Sequence, residues 1–250
     1  MPIAYILTLA FQLVLAIHVA RTGRSLYWIM IIVMLPLVGG VAYLLVEVLP
    51  GLRQDPTARR ALGALGRAID PAANRRRIED RLALADTQEN RRQLAEECLR
   101  LGDFGNAAAL YQRCLSGVYL HDPDLLLGRA HAEFGQGDYA ACRRSLEELI
   151  QHNPQFRSHD GHLLYARALA ELGDKAAALA EYAVLADGYP GEEARLRYAE
   201  LLIQCEQPAT ARPILDTILT RSRSAPRYYR RKEAEWLTRA RKLRTAVGDR

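Results

Sequence analysis

This 250-residue sequence has little lysine, no closely spaced cysteine pair and few strand-forming patterns. Lysine stands only at Lys175, Lys232 and Lys242, so arginine supplies 31 of the 34 basic residues. The four cysteines, Cys98, Cys114, Cys142 and Cys205, are widely and irregularly spaced with no Cys-x-x-Cys pair, which argues against a zinc ribbon or a thioredoxin-type motif. Each falls in an expected helix, where a free cysteine packs as a small hydrophobe, a usage that suits a reducing compartment. From Arg53 onward β-branched residues are thin and period-two alternation is missing, so strands are not expected. No Gly-x-Ser-x-Gly elbow is present, and no phosphate-cradling glycine loop followed by lysine. Acids are plentiful but scattered, and no carboxylate pair stands out for acid–base work.

One local group carries metal-ligand residue types, His159-Asp160-Gly161-His162. Two histidines and one aspartate within four residues cannot all face one metal from a helix, although a loop could arrange it. The group sits where a helix is expected to begin, and there Asp160 favours the positive helix end. The sequence therefore predicts no catalytic residue, no cofactor-binding residue, no metal ligand set and no enzyme activity.

What is present is strongly asymmetric. Residues 3–20 are apolar except for Thr8, Gln12 and His18, and residues 27–49 carry Glu47 as their one charge. Crossing a bilayer core takes about 20 residues, so the second stretch fits and the first is near the limit. A signal peptide is the rival for the first stretch, but no basic residue precedes it and His18 stands where a small residue belongs. The expectation is a transmembrane hairpin within 1–52, with spans at about 3–20 and 27–49. Pro36 predicts a kink in the second span, and Gly39 and Gly40 a close approach of the neighbouring helix. Arg21 and Arg24 lie in the turn against Arg53, Arg59, Arg60 and Arg67 on the far flank, which places the remainder of the chain in the cytoplasm.

The stretch from Arg24-Ser25-Leu26-Tyr27-Trp28 through Leu35-Pro36-Leu37-Val38-Gly39-Gly40 to Tyr43-Leu44 resembles the N-terminal membrane segment of bacterial cardiolipin synthases of the phospholipase D superfamily. That family's catalytic His-x-Lys is absent, since Gly173, Arg230 and Ala240 stand two residues before the three lysines. The resemblance implies an anchor without its enzyme, in a bacterial inner membrane.

Further along, Gly-Asp pairs recur at Gly102-Asp103, Gly137-Asp138 and Gly173-Asp174, with steps of about one helical hairpin. A degenerate fourth unit has Glu206-Gln207-Pro208 in that place. A small residue precedes each by seven positions: Ala95, Ala130, Ala166 and Ala199. Small residues follow at Ala107, Cys142, Ala178 and Ala211, each with a bulky residue four later: Tyr111, Leu146, Tyr182 and Leu215. Pro154 and Pro190 close the second and third units. Small residues let paired helices touch, bulky ones fill the gap, and glycine ends the first helix with a positive φ.

This pattern resembles the tetratricopeptide repeat over residues 88–221, without a tryptophan at the usual early position. It implies an all-α solenoid whose concave groove is lined by the first helix of each hairpin. In that register the groove-facing residues are Arg92, Glu96, Leu127, His131, Leu163, Arg167, Leu196 and Glu200. The set lacks the Lys/Asn clamp by which chaperone-tail-binding repeats hold a terminal carboxylate, so that partner class is not supported. Residues 53–87 read as a linker with helices over 56–69 and 71–85. Residues 222–250 read as a basic amphipathic capping helix.

Net charge is +5, with basic runs at 75–77 and in the last thirty residues. Solvated helix faces explain such runs. Contact with anionic lipid is the alternative, carried by Arg230, Arg231, Lys232 and Arg239. Nucleic acid is not expected, for no zinc-finger or helix-turn-helix pattern accompanies the charge. The reading is a membrane-anchored scaffold whose groove binds protein partners. Its alternative is an accessory of phospholipid metabolism that touches anionic lipid through the hairpin and basic helices.

Overall fold

The structure, a computed structural model, describes residues 2–21, 25, 27–35, 38–44, 46 and 70–248, with side chains from Thr8 onward. The expected linker helix over 56–69, Arg24, Pro36, Glu47 and the arginine flank at 53–67 lie outside the described residues. Among those described, all regular structure is helical, and the chain divides into two units, 1–73 and 74–250.

The first unit contains α1 (Pro2–Arg21), α2 (Tyr27–Met34) and α3 (Val38–Tyr43). Of residues 27–49, expected as one span, the described helices cover Tyr27–Met34 and Val38–Tyr43. Proline has no N–H, so Pro36 cannot donate to the carbonyl of Ile32 four residues back. Gln12 of α1 donates its Nε2–H to that carbonyl instead, at 2.7 Å. Past the break, Gly39 N–H donates to the Leu35 carbonyl at 2.7 Å. A Cβ on Gly40 would stand 2.7 Å from the Phe11 ring and 3.1 Å from Leu15, so only glycine lets α3 approach α1 this closely. His18 Nδ1 lies 2.9 Å from the Tyr43 hydroxyl, and the Trp28 ring meets Tyr43 edge-on at 5.3 Å.

Tyr43, Ile32 and Val19 are fully buried, whereas Leu13, Val14, Met30, Val33, Val38 and Val41 are exposed. The unit thus joins its helices partly through polar contacts and turns many of its apolar side chains outward. Two corrections to the expected hairpin follow. Its second arm is not one continuous helix, and among the described residues no helix is long and apolar enough to cross a membrane.

The second unit opens with α4 (Ala73–Leu84), close to the expected 71–85, whose Ile78 joins the first core cluster. Four hairpins follow: α5 (Gln88–Arg100) with α6 (Phe104–Cys114), α7 (Pro123–Gln136) with α8 (Tyr139–His152), α9 (His159–Glu171) with α10 (Lys175–Gly188), and α11 (Glu193–Gln204) with α12 (Pro208–Ser224). Within this series each helix packs on the next, and α5, α7 and α9 also touch in turn. This is the expected tetratricopeptide-like solenoid.

Its turns repeat atom for atom. Gly102, Gly137 and Gly173 have φ near +80°, and Asp103, Asp138 and Asp174 then donate their N–H to the Cys98, Glu133 and Leu169 carbonyls at 2.9–3.0 Å. Each aspartate side chain caps the following helix, accepting from Asn106, Ala141 and Ala177. The same residue therefore closes one helix and starts the next. In the fourth unit Gln207 N–H reaches the Leu202 carbonyl at 2.9 Å, so the bond pattern survives. Glu206 bears the strain, at φ 58°, as the one non-glycine residue with positive φ among those described.

The interlocking positions are all in the core. Ala95, Ala130, Ala166, Ala199, Ala107, Cys142, Ala178 and Ala211 are fully buried, and Tyr111, Leu146, Tyr182 and Leu215 nearly so. Burial pushes the Cys98 and Cys114 thiols up, and that of Cys142 to about 12, as befits core hydrophobes.

The expected capping helix is two helices, α13 (Arg227–Lys232) and α14 (Ala234–Gly248). α14 packs on α11 and α12 through Leu237 and Ala240. A buried polar knot fastens this cap. Glu192 N–H donates to Glu233 Oε2 at 3.0 Å, which supplies the cap that α11 lacks from its own side chains. The Tyr229 hydroxyl donates to Glu192 Oε1 at 2.8 Å, while Arg195 and Arg221 each stand 3.4 Å from the same carboxylate.

Stability measurements on the full chain check this account. Glu206→Gly relieves the left-handed strain and is expected to raise unfolding free energy by about 1 kcal/mol, read as a shifted urea midpoint by circular dichroism. Glu192→Ala leaves Arg195 buried without its carboxylate and is expected to cost about 3 kcal/mol. Tyr229→Phe removes one hydrogen bond and is expected to cost about 1 kcal/mol.

Candidate functional site

The first helices of the hairpins present their polar stripe on one face of the second unit, and the structure sorts the expected groove residues into three kinds. Leu163 and Leu196 are 2% and 0% exposed, so they are core, not groove. Leu127 is half-buried, packed against the first and fourth core clusters. The physical reason is their position in the turn, three residues before the small alanine, where the side chain points at the partner helix. A leucine recurring at one register position in three units signals core, and that signal was available in the sequence.

A second group is paired off. Arg92 bonds Glu89 at 3.1 Å and Glu96 at 2.9 Å on its own helix. His131 Nε2 lies 2.8 Å from Asp160 Oδ2, a bond that ties α7 to α9 and holds the Asp160 carboxyl below the usual carboxylate range. Glu200 accepts from Arg239 Nη2 at 2.6 Å.

Arg167 stands apart. Its guanidinium lies over the Phe134 ring at 4.4 Å, and none of its N–H groups has a hydrogen-bond partner among the described residues. Burial, then the charge of Arg197, lowers its pKa. Arg129 shows the contrast, since its guanidinium is filled by Gln112 at 2.7 Å, Ser145 at 3.0 Å and Glu148 at 2.8 Å.

Arg167 opens on a cleft of about 210 Å³ between α9 and α11, lined also by Glu171, Tyr182, Arg197, Glu200 and Gln204. Tyr182 is buried, and that burial pushes its hydroxyl up to about 12. Arg197 is fixed at Nε by Glu193 at 2.7 Å and lies 5.4 Å from the Trp236 ring centre, which Arg239 approaches at 5.3 Å. Arg197, Phe134 and Trp236 were not among the expected groove residues. Arg197 sits one residue beyond Leu196, and Trp236 arrives from the cap, at a sequence distance no repeat register spans.

Of the lipid-facing candidates, Arg230, Arg231 and Lys232 are all exposed on α13. Arg239, on α14, is half-exposed, donates to Glu200 at 2.6 Å and lies 5.3 Å from the Trp236 ring centre. The group at 159–162 also disperses. Asp160 turns to His131, His162 Nε2 meets Glu181 at 2.6 Å, and His159 meets the Tyr189 ring. Among the described residues no three His, Cys, Asp or Glu side chains are placed to hold a metal.

Known proteins place this architecture. No family model matches the chain, so the resemblance of residues 24–44 to the cardiolipin synthase segment finds no support there. The chain is 38% identical over 80 residues to mouse tetratricopeptide repeat protein 21A, a match covering 31% of this chain and 6% of that protein. The crystal structure of a thermophilic TPR protein from Thermus thermophilus superposes with a TM-score of 0.52 at 19% identity, over 73% of this chain and 93% of that one. Yeast Tom70 superposes with a TM-score of 0.54 at 12% identity, over 86% of this chain and 48% of that one. The tetratricopeptide-like fold is what these likenesses share.

The Asp160 carboxylate predicts a pH dependence with a definite sign. A carboxyl whose pKa is lower folded than unfolded contributes stability in full above the ordinary carboxylate range and loses it as pH falls through the folded value. The stability gap between the wild type and Asp160→Ala is therefore expected to be present in full above the ordinary carboxylate range and to close as pH falls below that range, by urea titration at each pH.

Proposed function

We propose that this chain is a membrane-anchored adaptor that binds protein partners on the face formed by the first helices of its solenoid. The observation that carries the binding half is the cleft around Arg167: an open site in an otherwise self-satisfied polar face, on a fold that is a surface rather than a reaction centre. Nothing in that cleft pairs a nucleophile with a base, so the reading is recognition and not catalysis.

The anchoring half rests on the first unit. In water an isolated helical pair buries its apolar stripe and exposes its polar one. Here Gln12 satisfies the Ile32 carbonyl from within the pair, and His18 and Tyr43 also meet there. Leucine, valine and methionine side chains cover the outside. In hydrocarbon an unfilled backbone carbonyl costs several kcal/mol, and neighbouring helices characteristically fill those freed by proline. The arrangement fits a hairpin embedded in lipid, with a bacterial inner membrane and a cytoplasmic solenoid as the setting the sequence suggests.

The alternative, contact with anionic lipid, keeps one specific support: Arg230, Arg231 and Lys232 are exposed on one short helix that also carries exposed Tyr228.

One experiment addresses both halves. The full chain, carrying a photo-reactive residue at Glu171 or Gln204 beside the cleft, or at Arg144 on α8 as control, is illuminated in intact membranes, which are then extracted with alkaline carbonate. Discrete protein adducts from the cleft positions alone, in the carbonate-resistant pellet, are the expected result. Equal adducts from Arg144 would refute the binding face, and release of the chain by carbonate would refute the embedded anchor.

A further inference from the structure

We infer that the cleft between Arg167 and Arg197 receives the carboxylate of an aspartate or glutamate side chain, presented by an extended acidic segment of a protein partner. This rests on the protein-binding reading above and names the chemistry that the partner brings.

The inference follows from donors left over. Arginine offers five N–H donors in a rigid plane and has no acceptor. Arg167 uses none of them among the described residues, and its plane is already oriented by the Phe134 ring at 4.4 Å. Arg197 commits Nε to Glu193 and leaves both Nη groups without a hydrogen-bond partner among the described residues. Tyr182, at the base of the cleft, has a hydroxyl with no hydrogen-bond partner there either. Two half-buried guanidiniums that repel each other are relieved by one anion between them, and a carboxylate matches the fork of a guanidinium with two parallel bonds.

The lining also selects the charge. Glu171 and Glu200 stand on the same cleft, so a phosphate dianion would face two carboxylates, whereas a singly charged carboxylate meets a smaller opposing field. The position selects the source. The cleft lies between α9 and α11, with α5 and α7 on one side of the series and α14 on the other, so a partner laid along these helices runs past it. A side chain can drop into the cleft from a passing segment, while a chain terminus would have to end there.

The test uses full-length protein in detergent micelles and arrays of short peptides, acetylated and amidated at their ends, with glutamate at varied spacing. Parallel arrays carry glutamine for every glutamate, or a free C-terminal carboxylate. The expected result is capture about tenfold stronger on the glutamate array than on the glutamine array. That preference should vanish in Arg167→Met and in Arg197→Met and persist in Arg144→Met, with circular dichroism confirming that each variant is folded. Two folded arginine variants guard against the misfolding of one. Equal capture on glutamate and glutamine arrays would overturn the inference and leave protein binding standing. So would a preference that survives both arginine variants, or one confined to the free C-termini. Capture on none of the arrays would overturn it and count against the protein-binding face as well.

Discussion

Everything in the solenoid depends on one constraint, the left-handed residue that ends each first helix. Once Gly102, Gly137 or Gly173 takes φ near +80°, the next N–H must return to a carbonyl of the helix just finished. The next side chain is then placed to cap the helix about to start. The two helices of a hairpin therefore leave the turn in nearly the same relation each time. That sameness brings small residues opposite each other and lets Tyr111, Leu146, Tyr182 and Leu215 fill equivalent gaps. The fourth hairpin shows how strong the constraint is, since Glu206 adopts the strained conformation instead of the turn changing.

The first unit satisfies its polar groups in a different way. A proline in a helix frees a carbonyl, and in water a solvent molecule would take it. Here Gln12 takes it, and Gly40 makes the neighbouring helix close enough to touch. A glutamine, a histidine and a tyrosine that count as interruptions when hydropathy is read along the chain become contacts between helices. Many of the apolar residues face outward, while Leu15, Val19, Ile32 and Tyr43 pack between the helices.

The candidate site arises where the solenoid's polar pairing is incomplete. Most of the face is self-satisfied: Arg92 with Glu89 and Glu96, His131 with Asp160, Arg239 with Glu200. Arg167 is held in place by an aromatic ring instead of an acid, so its position is fixed while its hydrogen bonds remain free. A partner would meet a preorganised donor there, and no existing ion pair would have to break first.

Local rules made much of this legible in advance. Gly-Asp spacing, the small and bulky positions and the closing prolines each follow from backbone conformation and helix contact, so the hairpins, their order and their core could be named residue by residue. The groove was only half legible. Leu163 and Leu196, assigned to it by register, went to the core, because facing a partner helix depends on how hairpins tilt. Tertiary structure alone decided that Gln12 meets Ile32, that Glu233 caps α11 across about forty residues, that Arg197 shares a cleft with Arg167, and that Trp236 meets Arg197. Sequence determines which groups exist and how they recur; only the packing of distant helices determines which of those groups are left without a partner.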